Sequence, residues 1–168
     1  MALTIDDTSY ALPVDDTVAQ KVASYNDALN AIQSAWASWT PSWTNLSVGN
    51  GTVTAKYRQI GKLVTCRLKI VFGSTTSISG DVDFSLPVTR ATYPSVAGIT
   101  NIGLLSMYDS SATTTYTGVL NTPTTTTSKL RAFSVSGSYI VVAVLSSTVP
   151  FTWTTSDEIA ATFSYEAA

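Results

Sequence analysis

Five of the nine basic residues of this 168-residue chain, Lys56, Arg58, Lys62, Arg67 and Lys69, fall within residues 52–73, TVTAKYRQIGKLVTCRLKIVFG. Cations gathered this closely can neutralise carboxylates of their own chain, meet those of a neighbouring subunit, or hold an anionic ligand. The choice depends on how the stretch folds. Apolar and polar residues alternate on both sides of Gly61-Lys62, a pattern that predicts a β-hairpin with a two-residue turn. That turn sets Ile60 opposite Leu63, Tyr57 opposite Cys66, Ala55 opposite Leu68 and Val53 opposite Ile70, one apolar face for a core. The other face pairs Arg58 with Thr65, Lys56 with Arg67 and Thr54 with Lys69. Lys56 opposite Arg67 is a like-charge pair, destabilising unless a carboxylate or other anion intervenes. Asp81 and Asp83 alternate with Val82 and Phe84, so both point away from the core and are the expected local partners. The candidate basic contact face is therefore Lys56, Arg58, Arg67 and Lys69, with Asp81 and Asp83 beside it. A solvated, acid-paired face is the favoured expectation, ahead of a subunit contact and of an anionic glycan.

Chemistry elsewhere is sparse. The chain contains no histidine, which removes the commonest general base and zinc ligand and every Ser-His-Asp or Cys-His arrangement. Asp81-Val82-Asp83 offers two carboxylates but no loop oxygens for Ca²⁺, and Asp157-Glu158 is a lone acidic pair. No catalytic residue, metal or cofactor is expected. Cys66, the sole cysteine, cannot form an internal disulfide and is expected as a small buried hydrophobe. Trp36, Trp39 and Trp43 are expected as a packing collar between two regions rather than a sugar platform. Charged residues make up only 12% of the chain and the net charge is −2, which argues against nucleic acid as a partner. No apolar run reaches the length of a membrane span, and the N-terminal MALTIDDTSYALPVDD lacks the basic and apolar regions of a signal peptide.

Two periods organise the chain. Val18, Val22, Tyr25, Leu29, Ile32, Trp36 and Trp39 are spaced alternately by four and three, a heptad seam of about three repeats. Asp15 and Asp16 precede it as cap and dipole partners, and Pro41 stops it. Leucine at position a with isoleucine at d shifts preference from dimers toward trimers or tetramers. A short trimeric coiled coil is preferred over a helix folded back on its own sheet. After Pro41 the period becomes two. Strands are expected at 43–48, 52–60, 63–72, 81–86, 99–108, 115–120, 130–135, 139–145 and 159–165. Gly- and Thr-rich turns separate them, and the Thr-rich 122–128 is expected as an exposed connection. The fold class is thus mainly β, a jelly-roll-like antiparallel β-sandwich of about eight strands behind one N-terminal helix. The expected division is an extended arm or anchor at 1–14, a heptad helix for oligomerisation or attachment at 15–40, and a β-sandwich head at 41–168.

Residues 39–89 carry a further pattern. Trp39, Pro41, Trp43, Asn45 and Leu46 are followed by Gly49-Asn50-Gly51, Tyr57-Arg58, Ile60-Gly61-Lys62, Gly73-Ser74-Thr75-Thr76 and Ser85-Leu86-Pro87. This series, with the closing TFSYEAA, resembles the small β-rich domain of minor tail proteins from phages and prophages of actinobacteria. The resemblance implies a non-enzymatic virion surface component at a tail tip, with host-surface receptor or carbohydrate contact, made in the host cytoplasm. Its implied partners are its own copies in a homotrimer, other virion proteins and a host glycan, with no membrane. Because the domain here follows only a short arm and one helix, capsid decoration through residues 1–40 is the alternative. A free carbohydrate-binding module is the alternative from another class.

Overall fold

The computed structural model describes residues 18–32, 35–93 and 100–168. The chain forms two units, Met1–Ala35 and Trp36–Ala168. In the first, helix α1 spans Val18–Ile32. Tyr25 is 65% and Leu29 41% exposed, although both lie on the apolar seam. The arm at 1–14 and the Asp15-Asp16 cap lie outside the described residues, and of Ile32 only the backbone is described.

The heptad pattern overran the helix. Trp36 and Trp39 do not lie on it: Ala37–Ser38 forms strand β1, pairing antiparallel with the hairpin at Ala37↔Tyr57 and Ser38↔Lys56. The β unit therefore begins at Trp36 rather than at residue 41. The physical reason is burial. Trp39 sends its ring into the core of the sheet, edge-on to Tyr57 and Phe163 at centroid distances of 6.3 and 6.4 Å, which a helical continuation would forfeit.

The remaining strands are β2 (Trp43–Ser47), β3 (Thr52–Ile60), β4 (Leu63–Val71), β5 (Ser77–Ser85), β6 (Thr100–Asp109), β7 (Thr114–Thr122), β8 (Thr127–Ser136), β9 (Tyr139–Val144) and β10 (Glu158–Glu166). The β3–β4 register is the one the two-residue turn requires, with Ile60↔Leu63, Tyr57↔Cys66 and Lys56↔Arg67. Gly61 supplies the positive φ of 56° that this turn needs. All ten described strands belong to one antiparallel sheet, in the order β1-β3-β4-β10-β6-β7-β8-β5-β2, with β9 beside β8. This is one curled sheet rather than the expected eight-strand, two-sheet arrangement.

Alternation places the core. Val64, Cys66, Leu68 and Ile70 of β4 join Ile159, Ala161, Phe163 and Tyr165 of β10 and Leu105 and Met107 of β6 on the inner face. Val82 and Phe84 of β5 and Leu130 and Ala132 of β8 line the same core. Phe163 sits among Trp39, Phe84 and Tyr165, and Phe84 in turn meets Trp43 at 5.7 Å. The two ends of the sheet, β1 and β2, are consecutive in sequence, so the chain crosses between them at 39–42. There Trp39 Nε1 donates to Ser85 O (3.3 Å), Ser42 N donates to Ser85 Oγ (2.9 Å) and Ser85 N donates to Ser42 O (3.0 Å).

The Thr-rich 122–128 is the connection between β7 and β8, exposed at Pro123, Thr124 and Thr126 as expected, while Thr122 and Ser128 at its ends belong to the strands and are fully buried. Thr124 Oγ1 accepts from the amides of Thr126 and Thr127. The buried guanidinium of Arg90 donates to the carbonyls of Thr122 and Thr124.

Phe163→Ala is expected to lower stability by about 3–5 kcal/mol, the range for deleting a buried aromatic ring. Urea denaturation of the full chain measures it. A loss below about 1 kcal/mol would show that the aromatic cluster does not hold the sheet closed.

Candidate functional site: the basic outer face of the sheet

The outer face is set by the strand alternation that builds the core. With Ala55, Cys66 and Leu68 turned inward, Lys56 and Arg58 of β3 and Arg67 and Lys69 of β4 project outward. The structure therefore brings the four sequence-predicted cations together. Their expected partners lie elsewhere. Strand β5 is separated from β4 by β10, β6, β7 and β8, so Asp81 and Asp83 do not reach the hairpin. Lys129 Nζ lies 2.6 Å from Asp83 Oδ1 and 3.0 Å from Asp81 Oδ2, and Arg131 Nη1 lies 3.0 Å from Asp81 Oδ1. Burial alone would pull the Lys129 ammonium down, but the hydrogen bonds it donates to Asp83 and Asp81, and their charges, outweigh it and leave its pKa raised. Lys129 and Arg131 alternate on β8 as Asp81 and Asp83 do on β5. Two rows of opposite charge with the same spacing of two were the signal in the sequence.

On the hairpin, each cation finds a different neighbour. Lys69 Nζ pairs with Glu158 Oε2 of β10 at 2.9 Å. Lys56 Nζ donates to Ser38 Oγ at 2.7 Å. The guanidinium of Arg67 lies over the Trp36 ring, 4.4 Å from its centroid, with Arg58 at 5.8 Å on the same ring. An aromatic face attracts both cations through its quadrupole. Among the described residues, Lys56, Arg58 and Arg67 have no carboxylate partner. Trp36 thus supports the basic face, Trp39 and Trp43 belong to the core side, and the three do not form one collar.

Lys56, Arg67 and Lys69 form one wall of an open groove of about 660 Å³ that runs across β4, β10 and β6. Thr162 and Ser106 line its floor with hydroxyls, and Leu104, 60% exposed, adds an apolar ridge. Cations on one wall, hydroxyls on the floor and one apolar contact suit an acidic, hydrated ligand: a carboxylated or sulfated sugar, or an acidic segment of a neighbouring chain. Sequence reasoning found the basic wall but not Leu104, Ser106 or Thr162, because β6 and β10 become neighbours only in the folded sheet.

The other candidate groups are absorbed into the fold. Asp157, fully buried, accepts from the amide and hydroxyl of Ser110 and from the amide and hydroxyl of Thr154. Glu158 is held by Lys69. The hydroxyl of Ser111 and then the amide of Ala112 hold the Asp109 carboxyl below its ordinary pKa, against the opposing effect of burial. Burial pushes the Cys66 thiol up to about 12, with a hydrogen bond to Tyr165 opposing it slightly. Burial also raises the Tyr165 hydroxyl, which donates to Val88 O at 2.9 Å. Among the described residues no group of three or more Cys, Asp or Glu is placed to hold a metal ion, and no described helix is long and apolar enough to cross a membrane.

Comparison with known proteins finds no family model, no curated protein and no solved structure that matches this chain.

Lys56→Glu places a carboxylate opposite Arg67 in the register observed. It is expected to raise stability by up to about 1 kcal/mol in low salt, and the gain should shrink in molar salt. Thermal denaturation at two ionic strengths checks both signs, and a loss of stability in low salt would contradict the unpaired reading of this face. For Cys66, the unfolded chain ionises near the ordinary thiol pKa while the native chain keeps its proton. The native state therefore binds more protons above pH 9, and stability should fall as pH rises from about 9 toward 12. Cys66→Ala should leave only the shares of that fall that come from Tyr165 and Lys129, both also raised in the native chain. In native protein near pH 8 a thiol reagent should label Cys66 only as fast as the chain unfolds, so rapid stoichiometric labelling would refute its burial.

Proposed function

We propose that this protein is a non-enzymatic structural component of a phage virion, a homotrimer displayed at the tail tip with its β unit as the head. The observation that carries assembly is the exposure of Tyr25 and Leu29 on the one apolar seam of α1. A 15-residue helix is marginal by itself in water and needs its apolar stripe covered. Copies of the same helix supply a matching stripe, and the leucine at a with isoleucine at d favours trimers or tetramers over dimers. The virion setting rests on the resemblance of residues 39–89 to the minor tail protein domain. In this reading residues 1–14 attach the trimer to other virion proteins, and the basic groove faces the host. Uronate, sulfate or phosphate groups of a cell-surface glycan would then meet Lys56 and Arg67. Each such contact is weak in water, and three heads on one stalk multiply it through effective concentration.

The test begins with sedimentation equilibrium of the full chain, expected to give three times the monomer mass or a multiple of it. Tyr25→Lys/Leu29→Lys should abolish the trimer without changing the β signal in circular dichroism. A full-length chain already monomeric at micromolar concentration would remove the trimer and favour a free binding module. Immunogold labelling of intact particles then places the protein. Gold at the tail tip supports the proposal, gold over the shell assigns the protein to capsid decoration, and unlabelled particles rule out a virion role.

A further inference from the structure

From residue 132 to residue 156 the chain carries no charged side chain. Within that stretch the sheet sends out an arm. β7 accompanies β8 only as far as Gly118↔Ala132, while β9 pairs with β8 from Arg131↔Val144 to Ser136↔Tyr139. Beyond Ala132, β8 and β9 are a two-stranded ribbon turned at Gly137, whose φ of 62° fits the tight reversal. β9 pairs with no other described strand.

The register sorts the ribbon into two unlike faces. Phe133↔Val142 and Val135↔Ile140, with Val144 beyond them, share one face; Ser134↔Val141, Ser136↔Tyr139 and Ala132↔Ala143 share the other. Arg131, opposite Val144, stands at the base of the first face and is held by Asp81. Beyond it the face is apolar and in water, with Val135 75%, Ile140 74% and Val142 50% exposed. A two-stranded ribbon is marginally stable alone, and an exposed apolar patch of several hundred Å² marks an interaction site.

We infer that this face is a docking surface for the same face of a second copy, the two ribbons packing face to face about a two-fold axis. Three features of the ribbon select that occupant. With no charge over residues 132–156 and Arg131 at the base of the face already paired with Asp81, the ribbon offers little for electrostatic selection of a different partner. A flat row of β-branched side chains, Val135, Ile140, Val142 and Val144, is complementary to itself, as an isologous contact requires. The five side chains expose about 500 Å², most of the roughly 800 Å² that each partner covers in a stable pair. Edge-to-edge pairing through β9 would leave the same face in water, so face-to-face packing is the mode that satisfies it. The contact is separate from the α1 seam and does not depend on the proposed trimer.

The test uses the full chain carrying Tyr25→Lys/Leu29→Lys, so that helix association makes no contribution. This protein is expected to sediment as a dimer, and adding Ile140→Lys/Val142→Lys should halve its mass with an unchanged circular dichroism spectrum. Val135→Cys in the same background gives a second readout, because native Cys66 is buried. Labelling of the introduced thiol should slow about tenfold between dilute and concentrated samples, as mass action requires of a surface covered by a second copy. A monomer with the ribbon intact, a dimer that survives the lysines, or labelling independent of concentration would each overturn the inference. So would an introduced thiol that becomes protected only when purified particles are added, since the occupant would then be another virion protein.

Discussion

Closure of the sheet depends on one line of aromatic contacts: Trp39 on Phe163, Phe163 on Phe84, Phe84 on Trp43. The strands at the two ends of the sheet, β1 and β2, follow one another in sequence, so the segment at 39–42 must span the open seam. It can do so only if the rings on either side of it are drawn into the same core. Each ring pair contributes about 0.5–1.5 kcal/mol beyond its buried area, enough to fix geometry rather than to supply the bulk of stability. With the seam shut, the inner face is dry, and the outer face inherits its charges in a fixed order. The basic wall, the groove it borders and the Asp81/Lys129 network follow from that alternation.

The motif residues that resemble a tail-protein domain turn out to hold the fold. Asn50, in the Gly-Asn-Gly turn, accepts at Oδ1 from the amide and hydroxyl of Thr75 and donates from Nδ2 to Ser74 Oγ. Thr76 Oγ1 donates to Val48 O at 2.5 Å. The Gly-Ser-Thr-Thr loop is thereby locked onto the turn, so closely that a Cβ on Gly73 would collide with Asn50 Oδ1. Asn45, at a φ of 60°, sits at the register shift between β2 and β5 and donates to Asp81 O. Trp39 and Trp43 close the core. None of these groups faces the groove, so the pattern carries architecture, and ligand preference rests on residues outside it.

Local rules were legible and long-range ones were not. The β3–β4 register could be read because a two-residue turn and a period of two leave one solution, and burial of Cys66 followed from it. The end of α1 was obscured because Trp36 and Trp39 satisfy a heptad as well as an edge strand, and only the core decides between them. The partners of Asp81 and Asp83 were misplaced because strand order is a property of the whole sheet: β5 looked adjacent to the hairpin in sequence, yet four strands lie between it and β4. The groove was hidden for the same reason, since its floor and ridge come from β10 and β6. Arg90 gave no signal at all; an arginine whose side chain is satisfied by the carbonyls of Thr122, Thr124 and Ala91 looks in sequence like any other surface cation.

The position of β10 has a consequence for biosynthesis. It is the last of the described strands in chain order, yet it lies inside the sheet between β4 and β6. Until the ribosome has delivered it, β4 and β6 each present an unpaired edge, and Ile159, Phe163 and Tyr165 are missing from the core. Strands joined over such sequence distances also pair slowly. The β unit therefore cannot mature progressively during translation and must condense in one late event. The strand order thus acts as a length check: a chain cut short before β10 never completes the native sheet.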